Sequence, residues 1–202
     1  MGLLLQGVTM NITSFLIYCV VATFTPGPAN IVILSSVQHF GAKKAMEYVC
    51  GATMGFGLLL VFSTMLNRIL ADVIPNILSI MQIIGSLYML YLAYQVYKMG
   101  ATEAKDIQTT NFVSGLLMQF VNPKVVLFTL TVIPTFVMPY YTSSLVLFLF
   151  VIIITLIGFL AFTTWVVFGR IFRRFLHTHQ KVLNTLMALF LVYSAIMVSG
   201  IL

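Results

Sequence analysis

The sequence is poor in charged residues, which make up only 7% of its 202 residues. A soluble domain is about 25% charged, because a surface that faces water needs polar groups. Four residues are acidic, 61% are hydrophobic, and the mean hydropathy is +1.10. This shortage of charge excludes an ordinary soluble surface and indicates that most of the protein's surface faces lipid.

Groups suited to catalysis or metal binding are also scarce. The two cysteines, Cys19 and Cys50, fall in apolar segments and are expected to be free thiols. His177 and His179 form a weak metal-binding pattern, without a cysteine or carboxylate beside them. The sequence has no nucleophile–base motif, zinc signature or phosphate-binding loop. We therefore expect no enzyme, no metal and no cofactor.

Long apolar runs are what the sequence has in abundance. Each is about 20 residues long, enough to cross a hydrocarbon core about 30 Å thick. Backbone polar groups in lipid must be paired within their own segment, so these runs should be helices. The sequence predicts an all-α polytopic membrane protein of six spans, at residues 11–36, 45–66, 76–97, 111–132, 144–168 and 182–201.

The basic residues predict the orientation of these spans. The loops after the second and fourth spans contain a single basic residue, Arg68. The loops after the first, third and fifth spans contain Lys43, Lys44, Lys98, Lys105, Arg170, Arg173, Arg174 and Lys181. The positive-inside rule then places these odd-numbered loops in the cytoplasm and both termini outside. This distribution explains the net charge of +6 without nucleic acid, and a bacterial inner membrane is the simplest location.

Three spans in each half give the two halves opposite orientations in the membrane. That is the topology of an inverted repeat, which is common in transporters. The linker at residues 100–111 is its natural midpoint. We expect one transporter domain over residues 1–202, with halves at about 1–100 and 111–202.

The first span is interrupted by Thr25-Pro26-Gly27-Pro28, followed by Asn30. Two prolines remove two backbone donors, and their rings clash with upstream carbonyls. Exposed backbone at membrane depth is tolerated only where protein buries it or a watery cavity wets it. This segment is therefore either a substrate site built from freed backbone groups, Thr25 and Asn30, or a kink that only shapes packing.

The fourth span carries four polar or helix-breaking residues in an apolar frame: Gln119, Asn122, Pro123 and Lys124. Lys124 lies about 20 Å along the helix from the start of the span. A lysine at the centre of a membrane helix costs about 2.5–3.5 kcal/mol on insertion scales, so something must offset it. It either meets a substrate carboxylate or proton, or it holds the carbonyls of a broken helix. The two interruptions fall in the first helix of each half, where a transporter's central site is expected.

Two features of the second span have other interpretations. Gly51, Gly55 and Gly57 are spaced for close helix packing. Glu47 borders the cytoplasmic end of the span. It is a candidate proton carrier together with Lys124, or the partner of an adjacent lysine.

The paired motifs Thr25–Asn30 and Phe120–Lys124 resemble those of the LysE/RhtB superfamily of amino-acid exporters, and the resemblance spans essentially the whole chain. Residues 117–138 are most similar to the cysteine/O-acetylserine exporter branch. The resemblance implies efflux of amino acids or derivatives by proton antiport, with motif residues Pro26, Gly27, Pro28, Asn30, Asn122, Pro123 and Lys124. Many members have an acid or histidine where this chain has Phe56-Gly57-Leu58, which leaves the proton carrier open.

The expected function is a secondary transporter that exports a small amino acid such as cysteine or O-acetylserine. Its expected partners are that solute and the lipid bilayer, and a homodimer is left open. The alternative is a passive channel for small polar solutes.

Overall fold

The computed structural model describes residues 10–98 and 110–199, without the side chains of 66–82 and of some single positions. Every regular element in this part of the chain is helical, as the sequence predicts. The helices are α1 (Ile12–Phe24), α2 (Pro28–Phe40), α3 (Ala42–Lys98), α4 (Phe112–Val121), α5 (Pro123–Phe136), α6 (Ser144–Ile171), α7 (Arg173–Thr178) and α8 (Gln180–Ser199).

The two predicted helix interruptions are present. Helices α1 and α2 form one apolar pair bent by 48°, and α4 and α5 form another bent by 68°. Each second helix begins at a proline, Pro28 or Pro123, in the first helical position, where the missing N–H costs no hydrogen bond. Helix α4 starts with a capping box between Asn111 and Ser114. The local sequence therefore determines where the α4–α5 pair begins and where it is broken.

The described residues contain up to four candidate membrane spans. Two are single helices, Ala42–Met65 and Ser144–Ile171, and the bent pairs supply the other two. The predicted count of six spans in two inverted halves goes beyond these four and stays a prediction. Most of the linker at 100–111 lies outside the described residues.

Helix α3 contradicts one predicted boundary. The sequence separates its second and third spans by a loop at 67–75, but the structure has helix without interruption from Ala42 to Lys98. A straight helix of this length would extend for about 85 Å. Residues near both ends, such as Tyr48 and Leu92, nevertheless belong to one hydrophobic cluster. Helix α3 is therefore bent, and its two arms, Ala42–Met65 and residues 83–98, reach the same core.

The first arm of α3 packs against α4 with unusually little separation. A Cβ atom on Gly51 would overlap the backbone carbonyl of Phe112, and one on Gly115 would overlap that of Tyr48. A Cβ on Gly55 would lie 2.7 Å from the Leu116 carbonyl oxygen. Gly57 faces α6 instead, where a Cβ would meet the Thr155 side chain at an ordinary 3.4 Å. Glycine is thus required where two backbones touch, but not at residue 57.

We predict that Gly51→Ala and Gly115→Ala destabilise the protein, because the added methyl group has to push two backbones apart. The loss should be at the upper end of the about 1–3 kcal/mol typical of overpacking. Thermal unfolding of the detergent-solubilised protein measures it. Gly57→Ala is the matched control and should unfold within a degree or two of the wild type. Equal midpoints for all three variants would contradict the close contact.

Candidate functional site

The two helix interruptions meet in space through Lys124. Its ammonium Nζ donates a hydrogen bond to the backbone carbonyl of Thr25, at 2.6 Å, although the two residues are 99 positions apart. The Nδ2 of Asn30 donates to the same carbonyl at 3.0 Å. One oxygen at the end of α1 therefore accepts from both halves of the chain. This contact corresponds to the second interpretation of Lys124 above, a lysine that holds carbonyls of a broken helix.

The carbonyls at the end of α1 need such donors because prolines follow them. In an uninterrupted helix, the N–H of residue 28 would bond to the carbonyl of Phe24. Pro28 has no N–H, and the Phe24 carbonyl instead accepts from Trp165 Nε1 at 3.3 Å. The Thr25 hydroxyl donates to the Val21 carbonyl at 2.5 Å. The Val21 carbonyl also keeps its backbone bond from the Thr25 N–H at 3.1 Å, so side chains replace missing helix bonds at Phe24 and Thr25 and add to an existing one at Val21.

Both second helices begin beside the Lys124 ammonium. Gly27 and Asn122 are the N-caps of α2 and α5, and the structure gives neither of them a side-chain capping bond. The first turn of a helix leaves backbone N–H groups without helical partners, and its end carries a partial positive charge. Two helix N-termini and an ammonium therefore converge, which is an arrangement suited to an anion.

A cavity of about 30 Å³ lies at this point. One wall is polar and contains Thr23, Asn30, Asn122 and Lys124. Asn30 and Asn122 are almost completely buried, and the Oδ1 atom of each has no hydrogen-bond partner among the described residues. A buried amide oxygen without a partner costs about 1–3 kcal/mol, so these two acceptors favour a ligand or water that donates hydrogen bonds.

Another part of the lining is aromatic and is called the aromatic wall here. Phe56 stacks on Phe128, with ring centroids 5.8 Å apart, and meets Phe162 edge to face at 6.4 Å. The Phe56 ring fits because Gly158 lies behind it, where a Cβ would come within 2.7 Å of the ring. Sequence reasoning missed this wall. Its only signal was a glycine, Gly158, in the middle of α6, among large apolar residues.

Other predicted site residues do not line the cavity. Gln119 is fully buried beside Gly55 and donates its Nε2 to the Gly115 carbonyl at 3.2 Å. Pro26 is exposed and Pro123 is buried at the start of α5. Glu47, the candidate proton carrier, pairs instead with Lys44 at 2.5 Å, with both side chains nearly half exposed.

The cavity is too small for the solute that the sequence predicts. Its volume corresponds to about one or two ordered water molecules, whereas even a small amino acid needs several times more space. A solute of amino-acid size would fit here only if the helices around the cavity moved apart. The described residues contain no group of three or more histidines, cysteines or carboxylates that could hold a metal ion, and both cysteines are free.

Comparison with known proteins identifies the family. The family model described as "LysE type translocator" matches residues 20–199. This chain belongs to the LysE translocator family. The family resemblance that the sequence motifs indicated is therefore confirmed. A "Cysteine/O-acetylserine efflux protein" of Klebsiella pneumoniae is 31% identical over 92% of this chain and 95% of its own length. A protein of the same name from Salmonella typhi is 30% identical over 93% of this chain and 96% of its own. No solved structure matches the chain.

Proposed function

We propose that this translocator exports small amino acids or their derivatives, of the cysteine or O-acetylserine kind, from the cytoplasm. The observation that carries the proposal is the convergence of two helix N-termini and the Lys124 ammonium on a cavity lined by Asn30 and Asn122, whose buried Oδ1 atoms have no partner among the described residues. The printed names of the relatives support the same solute class.

An amino acid is both anion and cation, and the polar wall offers a partner for each charge. Its carboxylate would bind the N-terminal amides of α2 and α5 together with Lys124. Its ammonium would donate to the Oδ1 atoms of Asn30 and Asn122. From the sequence, backbone carbonyls freed at the helix break are expected in this role. The side chain would lie against Phe56 and its aromatic neighbours.

Substrate binding would also break the contact that links the halves. The Lys124 ammonium holds the Thr25 carbonyl, and a carboxylate is a stronger acceptor than a carbonyl. When the substrate takes this donor, α1 and α5 are released from each other. Binding is thereby coupled to opening, as alternating access requires.

We further propose proton antiport in a bacterial inner membrane, with both termini outside. Lys124 is the preferred proton carrier, because it lines the cavity and Glu47 is engaged with Lys44 away from it. In antiport the proton travels inward on the return step, so Lys124 would take up a proton from outside after the substrate leaves. It would release that proton to the cytoplasm as the next substrate binds. A flux that neither saturates nor depends on the proton gradient would favour a passive channel instead.

We predict that Lys124→Met lowers the initial rate of export of labelled cysteine or O-acetylserine from proteoliposomes by about tenfold or more. The variant loses a charge-assisted hydrogen bond, worth about 1.5–3 kcal/mol, at the substrate carboxylate. Lys43→Met, which removes an exposed lysine at the start of α3, is the control. Export by Lys124→Met at the wild-type rate, with equal protein incorporated, would exclude the proposed site.

The aromatic wall should set the size of side chain that is exported. We predict that Phe56→Ala accepts larger amino acids such as methionine, since it removes most of one wall. Gly158→Ala should instead push the Phe56 ring into the cavity and lower export of every substrate. Competition by unlabelled amino acids against a labelled small substrate measures both effects. A preference order that is identical in the wild type and Phe56→Ala would contradict this role.

Lys124 and Glu47 can be separated by their response to a proton gradient. We predict that Glu47→Gln keeps the stimulation of export by an inward gradient, because only its surface ion pair is lost. Lys124→Arg should keep the positive charge but lose the stimulation, since arginine stays protonated. Export rates at imposed pH differences across the vesicle membrane distinguish the two. Loss of stimulation in Glu47→Gln alone would transfer the proton-carrier role to Glu47.

A further inference from the structure

A second cavity lies far from the transport site, in a groove between the second arm of α3 and α8. It measures about 300 Å³ and is open to the surroundings. Its lining is mostly apolar and contains two exposed tyrosines: Leu90, Ala93, Tyr94, Tyr97, Thr185, Ala188, Leu189 and Val192. The proposed transport mechanism uses none of these residues.

The relative alignment of the two helices brings two lysines to one end of the groove. The Ser86 hydroxyl donates to the Ala195 carbonyl at 3.0 Å, and the helices run antiparallel from there. Lys98 lies twelve residues after Ser86, about 18 Å further along, and is level with residue 183. Lys181 is only two residues, or about 3 Å, beyond that level.

Both lysines lie on the groove side of their helices. The Lys98 ammonium is 5.3 Å from the centroid of the Tyr94 ring, which lines the groove. Lys181 is four residues before Thr185, so one helical turn separates them on the same face. Both lysine side chains are exposed. The groove thus ends at two exposed lysines.

The dimensions of this groove fit one leaflet of a bilayer. Leu90 lies eight residues before Lys98, about 12 Å along the helix, which is within the half-thickness of a hydrocarbon core. Tyr94 and Tyr97 lie near the lysines, as tyrosines do at the headgroup level. Basic pockets between membrane helices on the cytoplasmic side bind anionic lipid headgroups, and the positive-inside rule places this end in the cytoplasm.

We propose that this groove is a binding site for an anionic phospholipid. The acyl chain lies along the apolar part of the groove from Leu90 and Val192, and the phosphate lies between Lys98 and Lys181. A second copy of this chain is the competing occupant. The lysine pair at the end of an otherwise apolar channel favours the lipid, because it matches a ligand with one apolar end and one negative end.

Native mass spectrometry of the full chain in mild detergent tests the proposal with two added lipids, phosphatidylglycerol and phosphatidylcholine of identical acyl chains. Phosphatidylglycerol should remain bound and phosphatidylcholine should be lost at lower collision energy. Lys98→Gln and Lys181→Gln should each weaken phosphatidylglycerol binding about fivefold, and the double variant about thirtyfold. Lys43→Gln is the control for an exposed lysine elsewhere and should bind like the wild type.

A second variant tests the acyl part of the site separately. Thr185→Trp fills the groove from an exposed position and should lower binding of both lipids, while leaving the lysines in place. Excess inorganic phosphate should not displace the lipid, because it lacks an acyl chain. Equal binding of the two lipids, no effect of the double lysine variant, or a dimer that Thr185→Trp dissolves would each overturn the proposal. Export of labelled cysteine by the same variants tests the proposed transport site independently of lipid binding.

Discussion

The hydrogen bond from the Lys124 ammonium to the Thr25 carbonyl joins the two interrupted helices, and the geometry of the site depends on it. A lysine at this depth is costly in a membrane helix, and a carbonyl that has lost its helical donor is costly too. Each group offsets the other. The same pairing places the start of α5 beside the start of α2, so that their N-terminal amides face one cavity. The break between α1 and α2 leaves this carbonyl without a helical donor, and the lysine binds it.

The cavity has polar and aromatic lining residues. The amides of Asn30 and Asn122 and the rings of Phe56, Phe128 and Phe162 all belong to this lining. An arrangement of this kind separates the charged part of an amino acid from its side chain. Lining residues also belong to two different hydrophobic clusters, with Phe162 in one and Phe128 in the other. The cavity therefore lies at the boundary between two hydrophobic clusters.

The sequence predicted the parts of this site that conflict with their surroundings. Proline, asparagine and lysine are conspicuous in an apolar helix, so both breaks and Lys124 could be found without coordinates. Phe56 and Gly158 could not, because a phenylalanine in a membrane helix is ordinary and its neighbours are set by packing. The partner of Lys124 also depends on how α1 meets α5. Helix α3 shows the opposite failure: the sequence predicts a loop at 67–75 between two spans, yet the structure continues the helix through these residues.

The backbone contact of Gly51 and Gly115 with the facing helix has a mechanical consequence. These glycines join the first arm of α3 to α4, one from each predicted half. Two helices in backbone contact cannot slide past each other without losing their interlocking shape. An opening of the cavity that keeps this contact intact would have to move the other helices relative to it.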